Sequence, residues 1–375
     1  MDFVGLMATE LNLIGKLIYN ILYKWVSGWS QTTVYFGAFS ITVILFTLFL
    51  KVLTSPFDLW QKKITRVNAK KMEAMKPQLD KINKQYANNR ELLMQKQREL
   101  YKKHKYSAFA SCLPMIITLV IFIVVVSGFN SAVRYHNAKT FEDLSGVYQK
   151  AFQEKNQEFI EQGKAEYREV DGETKLVPIG DFTEAQLKKE QEEASEKAVV
   201  EAYKPERFLL TKNIFMPDTW ANPIPTAEVF SGAGIGKFGI TGVDANEYNK
   251  VMKPLIKKYN ITEKGKRNWN GYLILPALAF LLNLIGVKLN KPPEQPQMAG
   301  QTEEQIKAQQ AQARMMGYMM PIMMAIFTFL YSTAFALYMF MNSLITTIFN
   351  LIYNIMAKKK DEKERDYIMS TTFKK

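Results

Sequence analysis

Cysteine and histidine are nearly missing from this 375-residue chain: Cys112 stands alone, and His104 and His136 are the only histidines. A single cysteine excludes an intrachain disulfide, and with two histidines it cannot complete a His/Cys metal cluster, so no metal and no other cofactor is expected. The familiar catalytic signatures are missing too, with no nucleophile elbow, no H-E-x-x-H and no paired-histidine arrangement. Gly234, Gly236 and Gly239 reproduce the spacing G-x-G-x-x-G, yet no convincing strand precedes them and no strong helical pattern opens on them. A Walker loop fails as well, because Ser231 stands where its first glycine belongs and Phe238 follows Lys237. Covalent chemistry and nucleotide binding are not expected, and the chain does not read as an enzyme.

Acidic charge is scarce in one place. Residues 56–109 hold 5 Asp/Glu against 14 Lys/Arg, a net of +9 within a chain total of +13. Such an excess beside apolar runs points to membrane orientation and not to a specific nucleic acid.

Long apolar runs are what the chain has in place of catalytic motifs. They cover residues 34–53, 110–129, 271–287 and 315–356. The last, as one helix, would measure about 63 Å against a hydrocarbon core of about 30 Å, and its polar step Ser332-Thr333 falls where a tight turn belongs. The expected fold is an all-α polytopic membrane protein with five transmembrane helices, a cytoplasmic helical hairpin and a mixed α/β extracytoplasmic insertion between the second and third spans. The basic loop 56–109 and the tail 357–375, with 7 Lys/Arg against 4 Asp/Glu, belong in the cytoplasm. Residues 130–269, with 21 Lys/Arg against 22 Asp/Glu, form a long loop that is translocated regardless of charge and belongs outside, as does the N-terminus.

The expected order is an extracytoplasmic segment at 1–33 carrying an amphipathic interfacial helix over 11–26, a first span at 34–55 and a basic hairpin at 56–109. A second span at 110–129, the outer domain at 130–269 and a third span at 270–289 follow. A polar linker at 290–314 leads to the fourth and fifth spans at 315–332 and 334–356, and then to the tail. The hairpin arms read as 59–86 and 89–104, with Leu79, Ile82 and Tyr86 offered to Leu93 and Leu100, and Pro77 is expected to kink or interrupt the first arm. In the outer domain, helices are expected at 141–160 and 183–203, the second opening on a Thr183/Gln186 capping box, with a β-hairpin around Asp171-Gly172.

Candidate site residues are few. Lys51 lies near the end of the first apolar run with Thr47 one turn before it, Thr118 lies in the second, and Asn342, Thr346 and Thr347 lie in the fifth. Charge retained in a span is a functional hypothesis, although a lysine near its end can also snorkel to the interface. The fourth span carries Met316, Met320 and Met324 on one helical line, beside Met315, Met319 and Met323. The line serves either as gap-filling between helices or as a soft surface for varied apolar partners.

Several segments together resemble a known family. Phe49-Leu50-Lys51-Val52-Leu53-Thr54-Ser55-Pro56, Gln61-Lys62-Lys63, Met75-Lys76-Pro77, Leu100-Tyr101-Lys102-Lys103-His104 and Ser111-Cys112-Leu113-Pro114 are similar, in order and spacing, to the core of the YidC/Oxa/Alb membrane protein insertases. Ile274-Leu275-Pro276, Met319-Met320-Pro321-Ile322, Leu337-Tyr338 and Asn342-Ser343 continue the resemblance, while residues 139–206 stand where the family has a short segment. The resemblance implies an insertase that passes hydrophobic segments of nascent membrane proteins from the cytoplasm into the bilayer. It would use a polar, positively charged groove containing Lys51, Thr47, Thr118, Asn342 and Thr346. It also implies a hairpin that receives clients and contacts to a ribosome or Sec translocon. Lys51 stands where the family usually has arginine, keeping the charge without the bidentate geometry. Thr118 stands where Gln is common, Ala108 replaces a proline, and Ser332-Thr333-Ala334 replaces a Pro-containing turn. From the residues alone, a transporter using Lys51 and a membrane-anchored protein acting through its outer domain stay open.

Overall fold

The computed structural model describes residues 10–29, 36–86, 88–106, 108–170, 172–289 and 303–372. Their element order is α1 (Leu13–Lys16), a π-helical stretch (Leu17–Tyr23), α2 (Lys24–Trp29), α3 (Ala38–Gln85), α4 (Arg90–Lys103) and α5 (Ala108–Glu161), then strands β1 (Ala165–Val170) and β2 (Glu173–Pro178). Helices α6 (Glu184–Ala202), α7 (Ala227–Ser231), α8 (Ala245–Tyr259), α9 (Ile274–Leu289), α10 (Glu303–Leu330) and α11 (Thr333–Thr372) complete it. The chain is mostly helical. Among the described residues, three stretches are long and apolar enough to cross a membrane, namely α3, Leu119–Glu161 of α5 and Thr333–Lys360 of α11; α9 and Pro321–Leu330 are shorter apolar helices.

Helices α3, α5 and α11 outrun any bilayer. At 1.5 Å per residue, the 48 residues of α3 reach about 72 Å, more than twice a hydrocarbon core. The hairpin arm expected to begin at residue 59 is the outer part of this one helix, which also passes Pro77. Pro56 removes the backbone donor to the Val52 carbonyl, and the Ser55 hydroxyl donates to that carbonyl instead, at 2.9 Å. A satisfied carbonyl lets the helix run on. At Pro77, the fully buried Met75 and Leu79 flank the proline and lock both sides into one apolar cluster.

The described residues divide into two compact units. One contains those up to Val43, Val126–Ile274 and Phe329–Ala336. Here α1 lies against α5: the Asn12 amide donates to Ser131 Oγ and its side chain to Ser127 Oγ, each at 3.0 Å. At the crossing, a Cβ on Gly128 would come within 2.3 Å of Ile14 Cγ2, so only glycine fits. The loops around residues 213–226 and 260–272 are tied by asparagine side chains that stand in for a sheet. Asn270 accepts from the Asn213 amide and donates to the carbonyls of Asn213, Met216 and Pro217, while Asn260 both accepts from and donates to the Ile224 backbone. Thr333, at the start of α11, adds its amide and hydroxyl to the Met216 carbonyl.

A small apolar cluster of Phe159, Ala165 and Leu187, with Leu176 and Phe182 against it, joins the end of α5 to the β1–β2 hairpin and α6. The strands pair antiparallel from Ala165↔Pro178 to Val170↔Glu173, longer than the 167–170 and 174–178 that the sequence pattern suggests. Helix α6 opens on the expected capping box of Thr183 and Gln186. Gly232 to Gly242 follow α7 as a glycine-rich loop in which Gly234, Gly236, Gly239 and Gly242 have positive φ, and the element directly before it is this helix and not a strand. Helices α7 and α8 are absent from the sequence-based expectation.

The second unit contains Ile44–Val125, Leu275–Thr328 and the described residues from Leu337 on. Its hairpin is closed by Met72, Met75, Leu79 and Leu100, with Ile82, Tyr101 and Tyr106 packed around them, and by a Gln97–Asn83 hydrogen bond of 2.9 Å. Asn89 caps α4 by accepting from the Leu92 amide. Helices α10 and α11 part at Tyr331–Ser332, at the polar step.

Candidate functional site

Helix periodicity brings the chemistry of α3 into one line. Thr47, Lys51, Asp58 and Lys62 differ by steps of four, seven and four, which at 3.6 residues per turn place all four within one narrow stripe. Thr47 is buried, and the Lys51 and Asp58 side chains are only 14% and 27% exposed. Lys51 Nζ donates to Asp58 Oδ2 at 2.8 Å. Lys62 Nζ donates to Asn350 Oδ1 and lies over the rings of Phe349 and Tyr353 at 4.9 and 4.8 Å. Arg66, one turn further, donates to the Ala357 carbonyl at 3.1 Å.

The facing polar row comes from α11. Ser343, Thr347 and Asn350 are buried at steps of four and three, and Asn354 continues the row. Ser343 Oγ donates to Asn283 Oδ1 at 3.1 Å, and Asn354 Nδ2 to the Leu289 carbonyl at 3.3 Å, so this row also engages α9. The expected pair Asn342 and Thr346 lies one residue over, on a half-buried face. Thr347, also singled out in the sequence, lies in the buried row itself. Thr118 falls on α5, and Met316 and Met320 on α10, but their side chains lie outside the described residues; Met324 is half-buried. Met315, Met319, Ile322, Met323 and Ile326 of α10 are exposed, a soft apolar surface along most of one side.

Asp58 does not stand out in the sequence, because it falls between the expected first span at 34–55 and the hairpin arm at 59–86. With the helix cut there, a residue seven positions after Lys51 has no reason to share its face. The dipeptide Ser55-Pro56 was the available signal, since a hydroxyl just before proline can take over the missing bond.

The first unit holds a different polar centre that sequence reading also missed. Glu206 is buried, and its carboxylate accepts from the Tyr23 hydroxyl at 3.0 Å and from the Phe39 amide at 3.2 Å. Burial raises its pKa, and those two donors pull it partly back. Gly37 makes room: a Cβ there would sit 2.0 Å from Glu206 Oε2. Beside this carboxylate, Tyr203, Phe215, Tyr248 and His136 help line a cavity of about 530 Å³.

A model of the 60Kd inner membrane protein family matches residues 31–160 and 198–361. The unmatched gap contains the β1–β2 hairpin and most of α6. Among curated proteins, the chain is 33% identical over 117 residues to the membrane protein insertase YidC of Fusobacterium nucleatum, covering 31% of this chain and 55% of that protein. It is 34% identical over 97 residues to the membrane protein insertase YidC of Leptospira interrogans, 26% of this chain and 15% of that one. It is 30% identical over 112 residues to that of Clostridium tetani, 30% and 48% respectively. The chain thus spans about half, or less, of the length of these relatives. Matched by the family model over more than three quarters of its residues, the chain belongs to the 60Kd inner membrane protein family.

Proposed function

We propose that this chain is a membrane protein insertase of the bacterial inner membrane, moving hydrophobic segments of nascent proteins from the cytoplasm into the bilayer. The observation that carries the reading is the polar stripe of α3, with Lys51 and buried Thr47 at the inner end of an apolar run, in a chain of this family. The printed name of the relatives supports it. So do the magnitudes. A carboxylate at mid-bilayer costs about 2.5–3.5 kcal/mol on insertion scales, and a lysine at 4 Å returns about 4 kcal/mol at an effective dielectric of 20. A lysine freed for the client is therefore enough to offset the transit of one acidic residue. The overall driving force is burial of the client's apolar segment in lipid, at roughly 25 cal/mol per Å², which requires no nucleotide.

In this reading α3, α5, α9, the apolar end of α10 and α11 are five spans, the N-terminus lies outside and the tail in the cytoplasm. Lys51, Thr47, Thr118, Asn342 and Thr346, joined by Ser343, Thr347 and Asn350, line the client path, and the methionines of α10 give a yielding apolar wall. The basic hairpin and tail meet the ribosome or a Sec translocon. The test is Lys51→Glu in a bacterium depleted of its own insertase. The wild-type chain restores growth and client insertion, and the variant, still present in the membrane at normal level, loses at least fivefold in inserting clients with acidic translocated tails. Wild-type performance by the variant removes the cation from the mechanism.

A further inference from the structure

Lys51 does not stand ready as a bare cation. Its ammonium is engaged by Asp58 at 2.8 Å, two helical turns along the same face, in a pair that is mostly shielded from solvent. An arriving carboxylate meets a neutral pair, and to reach Lys51 it must displace Asp58. We propose that Asp58 is a specificity-determining residue that sets how much acidic charge a client flank must carry before it can engage Lys51; this rests on the insertase reading above.

The geometry supplies both halves of the exchange. Displaced from Lys51, Asp58 has a second cation four residues on, at the spacing where oppositely charged side chains on a helix meet. That cation, Lys62, is held meanwhile by Asn350 and by the faces of Phe349 and Tyr353, all neutral partners that a carboxylate can outcompete. The two lysines and Asp58 therefore each have a partner at rest, but Lys62 meets only neutral groups at contact distance, so its charge is the one a displaced Asp58 can compensate. A single carboxylate gains Lys51, but Asp58 must then be moved onto Lys62 against the Asn350 hydrogen bond and the two ring contacts, so the exchange is close to neutral. A second carboxylate adds its own attraction to the Lys51 ammonium, and the exchange turns favourable. The chemical class selected is a peptide segment with clustered Asp or Glu beside its apolar stretch.

The experiment uses the full chain in proteoliposomes with a single-span client carrying zero, one, two or three aspartates in its translocated flank. Wild type is expected to insert poorly until the second aspartate. Asp58→Asn, which preserves size, is expected to raise the one-aspartate client by roughly three- to tenfold, the value of a weakly exposed pair, while leaving the three-aspartate client unchanged. Equal insertion profiles for the two proteins overturn the proposal, and so does a uniform loss across all clients, which marks Asp58 as structural. The exchanged pair Lys51→Asp with Asp58→Lys keeps the ion pair and moves the cation two turns; restoration of the wild-type profile by it also overturns the proposal. If wild type inserts no client above empty liposomes, the underlying insertase reading fails, independently of Asp58.

Discussion

At the scale of single residues, Glu206 shows how the fold tolerates a carboxylate away from water. Desolvation raises its pKa in the folded protein above the unfolded value of about 4.3, so its contribution to stability is present below that pH and lost as pH rises through the folded value. The purified protein in detergent should therefore melt at a higher temperature near pH 5 than near pH 8, and Glu206→Gln should flatten that difference while keeping one acceptor oxygen in place of the two that Tyr23 and Phe39 use. An unchanged slope in the variant assigns the pH dependence elsewhere. Neither Glu206 nor Asp58 stands out in the sequence, because each is defined by a partner that only the fold brings close: Tyr23 lies 183 positions from Glu206. Lys51 was legible, since one charge at the end of an apolar run violates a local pattern. Met72 and Met75 were not; nothing in a basic helix separates two core methionines from surface ones until α4 covers them.

At the scale of elements, helices were easy to find and their ends were not. Periodicity reported α3 twice, as a span and as a hairpin arm, because proline normally stops a helix and the compensating hydroxyl of Ser55 is a side-chain event. Helix α7 escaped because five residues with one buried side chain, Phe230, are too short for periodicity to register, and α8 because Pro254 stands inside it, although Tyr248, Val251, Met252 and Leu255 make an evenly spaced apolar face. The packing of α1 on α5 turns on one missing side chain. Gly128→Ala would gain about 0.5–1 kcal/mol of helix propensity, but its Cβ would press within 2.3 Å of Ile14, and overpacking of this kind costs about 1–3 kcal/mol. The expected net effect is a loss of about 1–2 kcal/mol, read as a lower melting temperature, with Ile14→Ala partly restoring the double variant. Stabilisation by Gly128→Ala alone would mean that the helices separate freely at that point.

At the scale of the whole molecule, the family match and the packing agree on what is added. Residues 161–197 lie outside the match, and they carry the β1–β2 hairpin and most of α6, held by the small cluster of Phe159, Ala165 and Leu187, by the packing of α6 on α8 and by the Gln191–Asn156 hydrogen bond to α5. Replacing them with a short glycine-serine linker should leave client insertion within about twofold of wild type, since Glu206 and the stripe of α3 remain; complementation of an insertase-depleted strain measures it. Complete loss of function places essential work in the added module. The unbroken course of α3 has a mechanical consequence. From Lys51 to Leu79 it is a rod of about 42 Å, fastened at its far end by the methionine and leucine cluster. A rod of that length would work as a lever: a tilt of about 5° about Lys51 would move Leu79 through about 4 Å, so a displacement at that cluster would reach the Lys51–Asp58 pair as a small rotation.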